Sequence, residues 1–372
     1  MVQPIYQSSI FHMPDHRVAA ATEHAVHPHS YYSRWGNPTV SYLENQLSAL
    51  MGTEASLVFP SGMAAITTTL LTLLGPGDRV AMSSALYGDT TRFFLEELRR
   101  WGVVVSLFDP CEPRALPALI EQGARLVYFE SISNPELRIA DLDAIHAACR
   151  GRPVLTVCDC TFSPPGVLAE GQRPADLCLH SLTKYLSGHY SVFGGSVSGP
   201  QALIDRIWHQ QSLYGSAIDP QAAWQISQGV KTLQLRIARQ SASAALLAEA
   251  LCGHPRVERV FHPSLQCGPG TAARRHLSAG GGVLSVSLKG GEAAALRLVE
   301  RTRVFGLSVS LGGVSSCIEH AQSMSHSMLD AMDAQMLAQS GARIPPDGLV
   351  RLSVGIEEPE DLLQDLMAAL DD

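Results

Sequence analysis

The sequence of 372 residues lacks most of the features that would mark it as a specialised surface binder or a secreted protein. Charged residues make up only 17% and balance to −8, so the positive surplus of a general nucleic-acid or anionic-membrane binder is missing. The eight cysteines contain no CxxC pair; Cys158 and Cys160, separated by Asp159, stand closest together. Without a cysteine framework, a chain of this size reads as holding reduced thiols in the cytosol. The opening residues, Met1-Val2-Gln3-Pro4-Ile5, have neither the basic start nor the apolar run of a signal peptide. The least polar long stretch, Met63 to Leu74, is broken by threonines and falls short of the roughly 20 residues of a membrane span. The expectation is a cytoplasmic globular protein with no nucleic-acid or membrane partner. What is abundant is apolar material, 46% of the chain, enough for two domains or one large domain with an appendage.

Residues 1–40 read as an irregular arm, with Pro4, Pro14, Pro28 and Pro38 and a histidine cluster at His24, His27 and His29. No carboxylate or cysteine completes a metal site there, so a solvated loop is expected and no metal is assigned. Arg34 offers a fixed fork of donors suited to a phosphate. Asn37-Pro38-Thr39 breaks the loop and starts a helix carrying Leu43, Leu47 and Leu50 on one face, stopped by Gly52.

Strands and helices then alternate. Strands are expected at 55–59, 79–82, 103–108, 125–129 and 154–158, with helices at 63–74 and 141–149. Uninterrupted apolar strands in βα units imply a largely parallel sheet covered on both faces. Ligands of such sheets lie beyond the carboxyl ends of the strands, where Asn134, Asp159 and Lys184 all fall. The turn Pro60-Ser61-Gly62 opens a helix whose free N–H groups suit a phosphate, although ordinary strand-to-helix packing has the same form.

Ser181-Leu182-Thr183-Lys184 follows another apolar run. Burial lowers a lysine's pKa and suits an amine acting as nucleophile or base, and neighbouring hydroxyls suit an anion. Together they suggest a lysine forming a Schiff base with pyridoxal 5'-phosphate (PLP); a surface lysine in a Ser/Thr loop is the competing reading. Asp159 would hold the pyridine nitrogen protonated, or else cap a helix.

From about Arg236 the texture becomes that of an α+β appendage. It has a helix at 237–251, a strand at 283–288 and a helix at 292–301. Met324, Met328, Met332 and Met336 recur every four residues, as on an amphipathic helix packed against that domain. Arg351 lies in the apolar string Leu349 to Gly355 and needs an anionic partner, either a substrate carboxylate or a structural salt bridge. The expected division is an arm over 1–40, a large domain over 41–235 and a small one over 236–372.

Pro4-Ile5-Tyr6-Gln7, Tyr32-Ser33-Arg34, Gly36 to Thr39, Ser61 to Ala65, Glu130-Ser131, Ser133-Asn134-Pro135, Ser181 to Lys184, Ser310 to Gly313 and Arg351 to Gly355 occur in an order that resembles the cysteine/methionine-metabolism family of PLP enzymes. That family includes cystathionine γ-synthase, the cystathionine lyases and methionine γ-lyase. The resemblance implies a type I, aspartate-aminotransferase-like α/β fold with a mostly parallel central sheet and a smaller α+β C-terminal domain. It also implies dimers paired into a homotetramer, the arm touching the neighbouring subunit. On this likeness Lys184 is the Schiff-base lysine, Asp159 the partner of the pyridine nitrogen, and Tyr87 a ring-stacking acid/base group. Gly62, Met63, Ser181 and Thr183 would hold the phosphate, completed by Tyr32 and Arg34 of the neighbour. Asn134 would meet the ring hydroxyl, and Arg351 with Ser310 the substrate carboxylate.

Several positions depart from the family's usual pattern. Asp89 stands where glycine is common and methionine γ-lyases carry cysteine, and Cys160 replaces the Asn after the ring aspartate. Tyr190-Ser191 replaces Ser-Asp, and Ser315 stands where Glu usually follows Gly-Gly-Val. Val309 occupies a position that is often Glu in the cystathionine enzymes, which removes a partner for a charged distal end. The implied activity is γ-elimination of a side-chain leaving group from a small amino acid. The alternatives are γ-replacement, β-elimination and a non-catalytic PLP-binding protein.

Overall fold

A computed structural model describes residues 3–330, 332, 337 and 340–371. Among them are the strands β1 (Ala55–Phe59), β2 (Arg79–Ser83), β3 (Val104–Phe108), β4 (Ala124–Glu130), β5 (Leu155–Asp159) and β6 (Leu177–Ser181). They continue with β7 (Gly195–Gly199), β8 (Val257–Phe261), β9 (Val283–Leu288), β10 (Gly306–Leu307), β11 (Cys317–His320) and β12 (Leu349–Ser353). The architecture is α/β, with a seven-stranded, mostly parallel central sheet and a second sheet of five strands. Contacts divide the chain into two units, residues 1–75 with 176–232 and residues 76–175 with 233–372. Among the described residues no helix is long and apolar enough to cross a membrane.

In the first unit β7 pairs antiparallel with both β1 and β6. The helix Pro38–Met51 starts where the sequence indicates: Asn37 caps it by accepting from Thr39 N at 2.9 Å, and Pro38 fills the first turn, where no N–H is needed. Its Leu43 and Leu47 are fully buried. The Gly-Ser-Val-Ser-Gly strand β7 is wholly buried although Val197 is its one branched apolar residue of the kind that advertises a strand. Its register explains one of the two serines: Ser198 Oγ lies 2.7 Å from Ser56 Oγ on β1, so that buried hydroxyl is paired. The helices Gln201–Tyr214 and Pro220–Val230 complete this unit.

His27 is not the solvated loop residue that its neighbours suggest. Its Nε2 lies 3.1 Å from Glu44 Oε2, and its ring stands 6.0 Å from that of Trp208. Glu44 is buried and also accepts from Val58 N on β1 at 3.2 Å. The pair therefore ties the arm to the helix Pro38–Met51 and to the sheet; His24 and His29 remain exposed.

In the second unit β3, β2, β4 and β5 lie side by side, all parallel, with Val80 opposite Val105 and Leu126, and Leu126 opposite Leu155. Every β4 residue except Arg125 is buried, as covering on both faces requires. The second sheet, in the order β10-β11-β12-β9-β8, is built wholly from residues after 233. Its inner face packs Leu284, Val286, Ile318, Val350 and Leu352 against Leu247 of the helix Leu233–Leu251 and Leu362 and Leu366 of the helix Pro359–Asp371. Of the four spaced methionines, Met336 lies outside the described residues. Met324 is in the turn preceding the short helix Ser327–Asp330, which contains Met328, and Met332 is buried.

The His27–Glu44 pair makes a pH prediction. Burial by itself lowers the histidine's pKa, but the charge and hydrogen bond of Glu44 outweigh it and raise the value above the ordinary 6.5. A raised folded pKa gives stability that is complete below about pH 6.5 and fades as pH rises through the folded value. The difference in unfolding free energy between wild type and His27→Gln should therefore be largest in mild acid and narrow with rising pH. A difference that is flat or widens would contradict the pairing.

Candidate functional site

The first unit brings four expected residues together around one helix start. Ser61 caps the helix Gly62–Leu73 by accepting from Ala64 N at 3.1 Å. Gly62 and Met63 then form its first turn, the end of a helix at which backbone N–H groups point outward. Glycine is required here, because a Cβ on Gly62 would lie 2.9 Å from Ser181 Cβ and 3.1 Å from Ser181 Oγ. A Cβ on Gly195, at the start of β7, would come within 2.1 Å of the Ser61 carbonyl oxygen. These two glycines let the helix start approach the end of β6, where Ser181 sits. Thr183 Oγ accepts from Gly194 N at 3.0 Å and donates to Gly194 O at 3.2 Å.

Lys184 lies three residues past β6, in a turn closed by its own N–H on Ser181 O at 3.2 Å and by Gly188 N on its carbonyl at 2.8 Å. It is half-buried rather than exposed. A helix N-terminus, hydroxyls and a glycine-lined cradle form a donor set that fits a phosphate. Arg34 donates to the carbonyl of Ser212, with its guanidinium 5.3 Å from the Tyr32 ring centre and 5.8 Å from that of Trp35.

The second unit gathers the others at the carboxyl edge of its parallel strands. Glu130 ends β4 and stands in register with Asp159, which ends β5. Glu130 Oε1 accepts from Tyr87 N at 2.7 Å and Oε2 from Asn134 N at 3.2 Å. One buried carboxyl thus anchors two of the expected residues. Burial raises the pKa of Glu130 well above the usual carboxyl range, and the charge of Asp159 adds to the shift. Burial likewise raises Asp159, opposed in part by its hydrogen bond from Thr161 N at 2.9 Å. A cation beside Asp159 would favour its ionised form, and a protonated pyridine nitrogen is such a cation. The Asp159 carboxyl at this edge fits a protonated pyridine ring.

Arg351 on β12 is the hub of this edge. Its Nη1 donates to Asn134 Oδ1 at 2.9 Å and its Nη2 to Ser310 O at 2.9 Å. Nη2 also lies 3.0 Å from Glu319 Oε1 on β11, both side chains being at most 3% exposed. The structural salt bridge required by a buried arginine is therefore present. Its Nε remains buried with no hydrogen-bond partner among the described residues, a donor available to a carboxylate. Ser310 has a φ of +88°, a conformation that costs a non-glycine residue about 1–3 kcal/mol and is found at ligand clamps. The adjacent Val309 side chain is exposed.

Tyr87 follows β2, and its hydroxyl donates to Asp89 Oδ2 at 2.7 Å. Burial, followed by this hydrogen bond, raises its pKa far above the ordinary tyrosine value. The Cys160 and Cys158 sulfurs, on either side of Asp159, are 3.6 Å apart, with Cys160 Sγ donating to Cys158 Sγ and no disulfide joining them. Three contacts were not foreseen from the sequence: the anchoring by Glu130, the pairing of Glu319 and the Asp89 bond. A carboxylate closing a strand that is apolar from Leu126 to Phe129 but for the Tyr128 hydroxyl was the available signal for Glu130. Glu319, between Ile318 and His320 in a buried strand, carried the same signal more weakly.

The sequence profile of the Cys/Met metabolism PLP-dependent enzymes matches residues 1–371. An L-methionine gamma-lyase of Pseudomonas putida is 39% identical over 373 residues, covering 100% of this chain and 92% of the relative. Among solved structures, cystathionine gamma synthase of Xanthomonas oryzae pv. oryzae in complex with cystathionine superposes with a TM-score of 0.90 at 36% identity, over 100% of this chain and 92% of that one. A putative O-acetylhomoserine (thiol)-lyase of Campylobacter jejuni, holding a pyridoxyl-lysine phosphate, gives a TM-score of 0.90 at 28% identity, over 100% and 95%.

Removing one partner of a buried ion pair strands the other charge, at a typical cost of about 3–5 kcal/mol. Glu319→Gln should therefore lower the unfolding free energy by about 3 kcal/mol. Glu319→Gln combined with Arg351→Met should recover much of that loss, read by urea denaturation. A single variant as stable as wild type would mean that Glu319 does not neutralise Arg351.

Proposed function

The chain belongs to the Cys/Met metabolism family of PLP-dependent enzymes, and we propose that it catalyses γ-elimination of a side-chain leaving group from a small amino acid. The observation that carries this reading is the 39% identity, across the whole chain, to an L-methionine gamma-lyase. Val309 supports it, because an apolar residue there offers no counter-charge to a distal ammonium.

PLP, when bound, supplies an electron sink next to the substrate's α-carbon. The amine of Lys184 would hold the cofactor and would move protons at the substrate's Cα and Cβ. Asp159 would keep the ring nitrogen protonated, and Asn134 would meet the ring hydroxyl. The amides of Gly62 and Met63 and the hydroxyls of Ser181 and Thr183 would hold the phosphate. Tyr32 and Arg34 reach the phosphate of the neighbouring subunit in a cytoplasmic homotetramer. Arg351 and Ser310 orient the substrate carboxylate, with the charge of Arg351 balanced by Glu319 until that carboxylate arrives. Tyr87 stacks on the ring.

A γ-replacement reaction is the second reading, favoured by the likeness to a cystathionine gamma synthase. Both reactions remove a proton from Cβ after one from Cα, so turnover in heavy water should place deuterium at Cβ of product or recovered substrate. Cleavage of the β-bond alone, with no deuterium at Cβ of recovered substrate, would overturn the proposal. Efficient capture of an added thiol at Cγ would decide for replacement.

A further inference from the structure

Tyr87 is held at three points. Its N–H is fixed by Glu130 at 2.7 Å, its ring meets His326 edge-on with centres 6.5 Å apart, and its hydroxyl is bound to Asp89 at 2.7 Å. The first two would hold any tyrosine in this loop; the third depends on a residue that departs from the family's usual pattern. We propose that Asp89 is a positioning residue that locks Tyr87 as a neutral hydrogen-bond donor: its carboxylate accepts the phenolic hydrogen, fixes the direction of the O–H bond and opposes formation of a phenolate. This rests on the proposed function only in taking Tyr87 to face the reacting groups.

The surroundings favour that assignment. Asp89 lies in the first turn of the helix Gly88–Arg92, which starts directly after Tyr87, so the two side chains share one turn of backbone. The cation on that helix, Arg92, is engaged with Glu96 at 2.7 Å, which leaves the Asp89 carboxylate to the phenol. The charged groups acting on the Tyr87 hydroxyl are Asp89 and Glu319, which favour the protonated form, and Arg351, which opposes them. Arg351 already faces Glu319 at 3.0 Å. Burial keeps the nearby His326 neutral, with a pKa lowered to about 4. A phenolate here would be a third anion against one guanidinium.

Two consequences follow for the reaction. Tyr87 does not serve as the base, so proton abstraction falls to the amine of Lys184. A proton passed from Tyr87 to a departing group would break the O–H bond and leave a phenolate beside a carboxylate. Leaving groups that depart as weakly basic anions, needing no proton, are therefore favoured over strongly basic ones.

The test is a titration of the full chain labelled at the phenolic carbon of tyrosine, with the Tyr87 signal assigned by its loss in Tyr87→Phe. An unperturbed tyrosine ionises near pH 10; Tyr87 should remain neutral to at least about pH 10.5 in the wild type. Asp89→Gly and Asp89→Asn should each lower its midpoint by about one unit or more, a tenfold loss of proton affinity, and Asp89→Glu should restore it. Should the glycine variant fail to fold, the asparagine variant keeps the shape and removes the charge. In turnover, the asparagine variant should acquire an alkaline fall in kcat/KM that the wild type lacks. Its rate should also depend less steeply on leaving-group basicity. Ionisation of wild-type Tyr87 at or below about pH 10, or a midpoint unmoved in the asparagine variant, would overturn the proposal. The titration needs no turnover, so a protein that titrates as expected yet fails to bind PLP would count against the enzymatic reading alone.

Discussion

The buried guanidinium of Arg351 is the constraint on which the second unit's functional edge depends. A charge at 3% exposure survives only where partners replace the water it has lost. Those partners come from three places: Glu319 on the neighbouring strand β11, the Asn134 side chain beyond β4, and the carbonyl of Ser310 in a turn of unfavourable backbone geometry. Satisfying one cation therefore joins the five-stranded sheet to the end of a strand in the parallel sheet. It also fixes Asn134, whose backbone is held from the other side by Glu130.

Glu130 extends the same logic. It is buried at the end of a strand with no apolar neighbour able to satisfy it, and it uses both oxygens on backbone N–H groups. Tyr87 and Asn134 come from different loops, and their positions are set by a single carboxyl. The first unit relies on steric permission instead. Gly62 and Gly195 let a helix start and a strand end approach more closely than any side chain would allow, and the donors gathered there suit an anion.

Much of this was legible because function in an α/β sheet collects where strands end. The apolar runs before Glu130, Asp159 and Ser181 located the strands to within two residues, and so located Asn134 and Lys184. The start of the helix at Pro38 was equally clear, since Asn and Pro act through local geometry alone. What the sequence concealed was long-range pairing. Glu319 lies 32 positions before Arg351, and nothing in its neighbours says that it points to the guanidinium. His27 looked like one of three loop histidines until Glu44, a residue of the following helix, was found within 3.1 Å. Strand β7 was hidden because its glycines serve close approach and Ser198 serves hydroxyl pairing, in place of apolar bulk. The Tyr87–Asp89 bond had a visible signal, an acid two residues from an aromatic hydroxyl, but only the fold of that turn brings the two side chains together.

The central claim is that Lys184, alone among the lysines, carries PLP. Borohydride reduction of the purified protein, followed by proteolysis and mass spectrometry, tests it most directly. The account predicts one pyridoxyl-bearing peptide containing Lys184, and loss of the yellow cofactor band in Lys184→Ala. A reduced cofactor mapped to Lys231 or Lys289, or no retained cofactor in the wild-type chain, would contradict it.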